Sequence, residues 1–318
     1  MPARRCVVTL SGTDNAAIGA IGPSTRQGLI AASVAICGRA MSAVVVAGID
    51  IPGTATAFYS YALYSAGAIV FLAVRRTPMR LAVVRSTAWA GLALAASVAA
   101  QYNALRLTSV VNASMIITLQ PLVVGAAAVS LFGERFRRRD IWLALIAVAG
   151  VVVVVAVEGD NAGDDWRGDS LALLAMLTWS AYTVAAKRST TQLSSAEFIA
   201  AAAIWVAAAC SILSLTLGYD VSWPSWSTWW PVTLIVVASL VLGHSMFNWS
   251  LRHVPLWVGA TLVLTTPVVS GFLAWASLGE TLTVIEFVAM AAVTAPIVVI
   301  VFDQQRTPAE TKAPAQSP

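Results

Sequence analysis

The stretch that decides the fold is ALRLTSVVNASMIITLQPLVVGAAAVSLFGERF, residues 104–136, because residues 250–282, SLRHVPLWVGATLVLTTPVVSGFLAWASLGETL, repeat it. The two stretches align over 33 positions at one constant offset and without a gap. Identical residues recur in the loop, at the central proline and at the closing Gly-Glu pair: Leu105 with Leu251, Arg106 with Arg252, Pro121 with Pro267, Val123 with Val269, Gly133 with Gly279 and Glu134 with Glu280. The chain therefore contains two copies of one structural unit.

The sequence around these copies consists of long apolar runs. Of the 318 residues, 58% are hydrophobic and 11% are charged, whereas soluble proteins carry about 25% charged residues. A membrane-spanning helix needs roughly 17–25 apolar residues, and these runs are too long for barrel strands. The sequence predicts an all-α polytopic membrane protein with ten transmembrane helices, at residues 28–48, 56–74, 88–105, 110–132, 141–157, 170–186, 198–218, 230–250, 256–278 and 284–302.

Basic residues fall almost entirely on one side of this topology. Only Arg106 and Arg167 lie in loops of the opposite side, and Arg39 lies within the first span. Cytoplasmic segments are enriched in Lys and Arg, so both termini are predicted to be cytoplasmic in a plasma (inner) membrane. The segments predicted to be cytoplasmic hold 16 of the 19 basic residues, namely Arg4, Arg5, Arg26, Arg75, Arg76, Arg80, Arg85, Arg135, Arg137, Arg138, Arg139, Lys187, Arg188, Arg252, Arg306 and Lys312.

Five spans in each copy is an odd number, so the second copy must insert upside down relative to the first. Inverted repeats are typical of secondary carriers, which alternate access around a central site. The predicted function is therefore a secondary transporter that exports or exchanges small metabolites. The predicted segments are a cytoplasmic tail (1–27), the first five-helix repeat (28–157), an external acidic linker (158–168), the second five-helix repeat (169–303) and a disordered cytoplasmic tail (304–318).

Over residues 28–303 the chain resembles the EamA-type transporters of the drug/metabolite transporter superfamily. The resemblance rests on the loop–helix–loop unit Ala104–Arg135, on its degenerate copy Ser250–Thr281, and on the sixth span LALLAMLTWSAYTVAAKR. Membership implies ten spans as two inverted repeats, cytoplasmic termini, and export or exchange of metabolites. The first span departs from the family pattern by carrying Arg39 and lacking tryptophan, so the resemblance implies no particular substrate.

Polar residues at membrane depth are candidates for a substrate site, because burying them in lipid is costly. Arg39 lies about 18 Å into the first span, and no carboxylate occupies a span interior to pair with it. It either binds a negative group of the solute or extends to the outer surface by snorkelling. The further candidates are Gln101, Tyr102, Gln120, Trp179, Tyr182, His244 and Asn248.

Geometry limits what these candidates can do together. Gln101, Tyr102 and Asn103 are consecutive, so at most two of them can face one cavity on a helix. His244 and Asn248 share a helix face, and packing between helices is the alternative role for both. Pro121 and Pro267 should bend the fourth and ninth spans. Each bend is either a gate beside the site or a plain kink.

Several classes of function have no support in the residues. Two histidines without nearby carboxylates give no metal site, no cofactor-binding motif is present, and the absence of GxxxxGK[ST] removes intrinsic ATP hydrolysis. No soluble basic face with aromatic platforms suggests nucleic-acid binding. An enzyme acting on lipid-linked substrates and a non-transporting accessory protein remain as alternatives. The expected partners are the bilayer and a small anionic or zwitterionic solute, with homodimerisation left open.

Overall fold

The computed structural model describes residues 23–77, 79–117, 119–132, 166–189, 192–222 and 224–279, and isolated positions between 142 and 149 and between 283 and 295. All regular elements in this part of the chain are helical, which confirms the all-α class. Six helices of the described residues are long and apolar enough to cross a membrane: Thr25–Gly48, Gly53–Val74, Asn112–Leu131, Trp166–Ser189, Ser195–Thr216 and Trp226–Ser250.

The helices follow the predicted spans in chain order. They are α1 (Pro23–Gly48), α2 (Gly53–Val74), α3 (Leu81–Ser86), α4 (Ala88–Ala104), α5 (Val110–Ile117), α6 (Gln120–Phe132), α7 (Trp166–Ser189), α8 (Ser195–Thr216), α9 (Trp226–Ile235), α10 (Met246–Ser250), α11 (Leu256–Leu262) and α12 (Thr266–Leu278). A π-helix, Val236–Ser245, joins α9 to α10. The predicted fifth and tenth spans, 141–157 and 284–302, lie largely outside the described residues.

Two helices begin earlier than the sequence predicts. α1 begins at Pro23, within the predicted tail 1–27, because proline is favoured in the first turn, where a helix needs no N–H. α7 begins at Trp166, within the predicted linker 158–168, and has Asp169 in its first turn. A carboxylate is favourable there because it faces the positive end of the helix dipole.

The two sequence copies have the same local structure. In each copy an arginine of the loop donates to a backbone carbonyl that follows the first helix of that copy: Arg106 to Ile49 after α1, at 2.5 Å, and Arg252 to Leu193 after α7. The loops themselves close with matching backbone hydrogen bonds, from the N–H groups of Leu105, Arg106, Leu107 and Thr108 in the first copy and of Leu251, Arg252, His253 and Val254 in the second.

The helix assignment changes shortly before each of the two prolines that were predicted to bend a span. α5 ends at Ile117 and α6 begins at Gln120, while a 3-10 turn, Val263–Thr265, separates α11 from α12. Pro121 and Pro267 are the second residues of α6 and α12, where the missing N–H removes no helical hydrogen bond. The bending of the two spans and its gating role stay predictions.

Helices of the two copies pack against each other across the core. α4 packs on α7 and α8, α2 packs on α8, and α1 packs on the π-helix and α12. The contact between α1 and the π-helix is close, because a Cβ atom built on Gly38 would lie 2.3 Å from the carbonyl oxygen of Ala238. This interleaving places the buried polar side chains of both copies at one central interface.

Candidate functional site

A small central cavity lies where the two copies meet. Its volume is about 10 Å³, which is room for about one water molecule. Helices α1, α2 and α4 of the first copy and α7 and the π-helix of the second supply its walls. The lining residues are Arg39, Ser42, Ala43, Tyr61, Val98, Gln101, Tyr102, Leu105, Trp179, Ser239 and His244.

Arg39 points into this cavity. Its guanidinium carbon lies 3.9 Å from the centroid of the Trp179 ring, a cation–π contact that contributes about 2 kcal/mol when desolvated. Within the described residues, its buried Nη1 has no hydrogen-bond partner and no carboxylate forms an ion pair with it. The Arg39 stem passes Gly243, where an added Cβ would lie 2.8 Å from Arg39 Cγ. In this structure the Arg39 side chain therefore lies over Trp179 inside the protein, and its binding role stays a prediction.

His244 closes the cavity on the side of the second copy. Its Nε2 lies 3.2 Å from the hydroxyl of Tyr61, and its ring meets the Trp179 ring edge-on at 5.1 Å. The Nδ1 atom of His244 is buried without a hydrogen-bond partner among the residues that the structure describes. Because buried polar atoms are normally satisfied, Arg39 Nη1 and His244 Nδ1 are two groups that a polar ligand could satisfy.

The π-helix explains why Ser239 and His244 line the same cavity. Residues five apart lie about 140° apart on an α-helix, whereas the i→i+5 pattern of a π-helix aligns them. The same spacing appears in the hydrogen bond from Ser245 Oγ to the Leu240 carbonyl, at 2.9 Å. The matching residues of the first copy belong to the regular helix α4. Only the second copy therefore turns both side chains inward at this level.

The three consecutive polar residues of α4, Gln101, Tyr102 and Asn103, do not all face the cavity. Gln101 and Tyr102 line the cavity, and Asn103 instead donates its Nδ2 to the carbonyl oxygen of Ala99 at 2.7 Å. The Tyr102 hydroxyl is buried and has no hydrogen-bond partner among the described residues. The cavity wall on this side is therefore polar and able to accommodate a ligand atom.

Tyr182 and Asn248 form a second layer behind the cavity. Asn248 Nδ2 donates to the Tyr182 hydroxyl at 2.6 Å, and the Tyr182 ring lies 5.1 Å from the Trp179 ring. This bond fastens α7 to α10, so the packing role weighed for Asn248 is present in the structure. Asn248 Oδ1 is buried and, in the described part of the chain, has no partner.

Gln120 lies apart from this group. It is fully buried, and its Nε2 makes a long hydrogen bond of 3.5 Å to Thr183 Oγ1. Thr183 in turn donates to the Trp179 carbonyl at 2.8 Å. Gln120 does not line the central cavity. The break between α5 and α6 directs it towards α7 one helical turn from Trp179.

Five of the eight side chains predicted for the site therefore line one cavity: Arg39, Gln101, Tyr102, Trp179 and His244. Sequence reasoning missed Tyr61 and Ser239. The signal for Tyr61 was present in FYSYALYSAG, because three tyrosines in one span bring hydroxyls to membrane depth. Ser239 carried no such signal among many small residues. No group of three potential metal ligands occurs within the described residues.

Comparison with known proteins agrees with this architecture. A family model described as the EamA-like transporter family matches the chain twice, over residues 27–156 and 166–302. Among curated proteins, none matches the chain. The crystal structure of one protein superposes on this chain with a TM-score of 0.67 and a sequence identity of 21%. The match covers 89% of this chain and 99% of that protein's chain. At this identity the similarity concerns the fold alone. The two matches span most of the chain, which therefore belongs to the EamA-like transporter family of small-molecule membrane transporters.

Proposed function

We propose that the chain is a secondary carrier that exports or exchanges a small metabolite bearing a carboxylate or phosphate. Its two repeats would alternate access to the central cavity in the plasma membrane, with both termini cytoplasmic. The observation that carries the proposal is the Arg39 guanidinium, which is buried between the copies, rests on Trp179 and has no carboxylate partner among the described residues. An amino acid is the simplest solute class that meets this requirement.

The electrostatics of Arg39 favour a negative group. Arginine stays charged at any physiological pH, and a buried charge without a partner is costly. A carboxylate or phosphate accepts two parallel hydrogen bonds from a guanidinium, so a bound anion would offset this cost. His244 Nδ1 and the Gln101 side chain border the same cavity and are available to the remaining polar groups of a zwitterion.

The size of the cavity supports a closed conformation. Ligand sites usually measure about 300–1,000 Å³, so a cavity of about 10 Å³ holds no solute. A larger cavity of about 530 Å³ lies next to it, around Gly48, Leu105 and Arg106. Leu105 lines both cavities. We infer that Leu105 is the barrier between the central site and the outer solution.

The repeat assigns the corresponding barrier on the cytoplasmic side to Leu251. It occupies the equivalent position in the second copy and is fully buried. Lys187 Nζ donates to the carbonyl oxygens of Leu251 and Val254, at 2.6 and 3.1 Å. The outer loop is held by the hydrogen bond from Arg106 to Ile49 described above and by the Thr108 hydroxyl, which donates to Asp169 Oδ1 at 3.0 Å.

The test is solute exchange by purified protein in liposomes. Vesicles loaded with an unlabelled amino acid, organic phosphate, neutral sugar or cationic dye would be assayed for uptake of the same labelled solute. We expect exchange of solutes with a negative group. Because a hydrogen bond to a charged group contributes about 1.5–3 kcal/mol, Arg39→Gln should lower apparent affinity about 10- to 100-fold. The apparent affinity of Arg39→Lys should lie between those of the native protein and Arg39→Gln, because lysine keeps the positive charge but cannot donate two parallel hydrogen bonds.

Arg85→Gln is the matched control, because Arg85 is an exposed arginine at the end of α3, outside the cavity. It should exchange solute at the native rate. Native exchange by Arg39→Gln would remove Arg39 from the site. Exchange restricted to cationic dyes would contradict the proposed solute class, and absence of exchange with any solute would favour the accessory-protein alternative.

A further inference from the structure

A second cavity opens on the side of the protein, away from the central site. It lies between α2, the start of α8 and the π-helix with α10, and its volume is about 450 Å³. The lining is almost entirely apolar, and Phe71 and Val241 are exposed at its mouth. A Cβ atom built on Gly67, which lines the cavity, meets no heavy atom of the described residues within 4 Å. We call this cavity the lateral groove.

Two arginines stand at the end of the groove where α2 terminates. The Arg75 guanidinium carbon lies 5.3 Å from the centroid of the Phe71 ring, and Phe71 lines the groove. Arg76 follows directly, and both side chains are exposed. The groove is thus apolar along its length and cationic at one end. This surface is complementary to an amphipathic ligand that has a negatively charged headgroup.

Arg76 occupies a position that normally favours glycine. Its φ is 56°, in the left-handed region where an L side chain is strained. The N–H of Arg76 donates to Ala73 and that of Thr77 donates to Leu72, the hydrogen bonds of a Schellman motif, whose left-handed residue is usually glycine. An arginine here carries a conformational cost that the helix end itself does not explain.

The one carboxylate on the neighbouring part of α8 does not cancel this charge. Glu197 accepts hydrogen bonds from the N–H and hydroxyl of Ser194. The positive charges of Arg80 and Arg252 also act on this carboxylate.

We propose that the lateral groove binds an acyl chain of an anionic phospholipid whose headgroup is held by Arg75 and Arg76. Hydrocarbon is the solvent at this depth of a membrane-spanning protein, so the groove is filled by a lipid chain and not by water. Basic residues beside a span attract anionic headgroups. The proposal requires only that the chain spans a membrane, and it is independent of the solute.

The groove also reaches the structure around the central cavity. Tyr64 and Ser245 both line the groove, and their hydroxyls lie 2.8 Å apart. Tyr61 and His244 border the central cavity. Tyr64 lies one helical turn from Tyr61, and Ser245 follows His244 in the chain. The two hydrogen bonds tie α2 to the π-helix side by side, so an occupied groove should also alter the exchange rate.

The test is native mass spectrometry of protein released from nanodiscs with equal amounts of phosphatidylcholine and phosphatidylglycerol. Each basic residue near a membrane surface adds about a five-fold preference for anionic lipid. We expect the native protein to retain phosphatidylglycerol, and the Arg75→Gln/Arg76→Gln double variant to lose about 25-fold of that preference. Gly67→Phe fills open space, so it should fold normally and retain less of both lipids.

Arg76→Gly separates lipid binding from folding. Glycine relieves the left-handed strain, so this variant should be at least as stable as the native protein and still lose about five-fold of the lipid preference. Arg85→Gln, which removes an exposed arginine of α3 that does not line the groove, is the charge control and should retain lipid normally. Native lipid preference in Arg76→Gly and in the double variant would overturn headgroup binding, and native retention in Gly67→Phe would overturn acyl binding.

Discussion

Adding one methyl group at Gly38 should impair both the fold and the transport activity. A Cβ atom at this position would lie 2.3 Å from the Ala238 carbonyl oxygen and 3.1 Å from Leu242 Cβ. A carbon and an oxygen normally approach to about 3.3 Å, so α1 and the π-helix would have to separate by about 1 Å. The Ala238 carbonyl oxygen belongs to the backbone of the π-helix, so it cannot move aside by rotation of a side chain. Overpacking of this kind costs about 1–3 kcal/mol.

The displacement should reach the central cavity, because Arg39 follows Gly38 and Ser239 follows Ala238 in the chain. A misplacement of about 1 Å can lower the rate of a geometry-dependent process about 100-fold. We therefore expect Gly38→Ala to lower the exchange rate at least about 10-fold and to lower the thermal unfolding midpoint in detergent. Exchange in liposomes and tryptophan fluorescence on heating measure the two effects.

Gly67→Ala is the matched control, since the same methyl group there meets no heavy atom within 4 Å in the described part of the chain. It should leave the unfolding midpoint at its native value. A native rate together with a native midpoint in Gly38→Ala would refute the close approach of α1 to the π-helix. Equal damage in the two variants would show that neither helix tolerates alanine, whatever the space around it.

Three further predictions concern topology, gating and coupling. Reporter fusions at Asp164 and Gly218 should be external, and a cytoplasmic signal at Asp164 would contradict both the span count and the inversion. Pro121→Ala and Pro267→Ala should insert normally but slow exchange, because each proline lies beside a helix break; native rates in both would leave the prolines as packing residues only. An imposed pH gradient should drive no accumulation, and uphill uptake that persists in His244→Ala would refute uncoupled exchange.

Features that depend on nearby residues were predictable. Helical class and the positions of eight spans follow from the length of the apolar runs, since lipid requires every backbone group to be satisfied within its own segment. The breaks before Pro121 and Pro267 also follow from local chemistry, because proline lacks the N–H that would continue the preceding helix. The matching loops around Arg106 and Arg252 are already apparent as a repeat in the order of the residues.

Features that depend on distant partners were not predictable in the same way. Tyr61 enters the site through His244, which is 183 residues away in the chain. Gln120 was expected at the site, but its break directs it to Thr183. No local sequence pattern predicted the π-helix. This element places Ser239 on the same side as His244, so that both line the central cavity.

By itself, the sequence determined that this chain is a helical membrane protein built from two copies of one unit, because hydrophobic length and internal repetition are properties of the chain alone. It also determined that Arg39 lies at membrane depth without a carboxylate in a span interior. Only the tertiary structure decided that Arg39 lies over Trp179 instead of extending to the surface. The direction of a side chain is set by the helices that pack around it, and here those helices come from both copies.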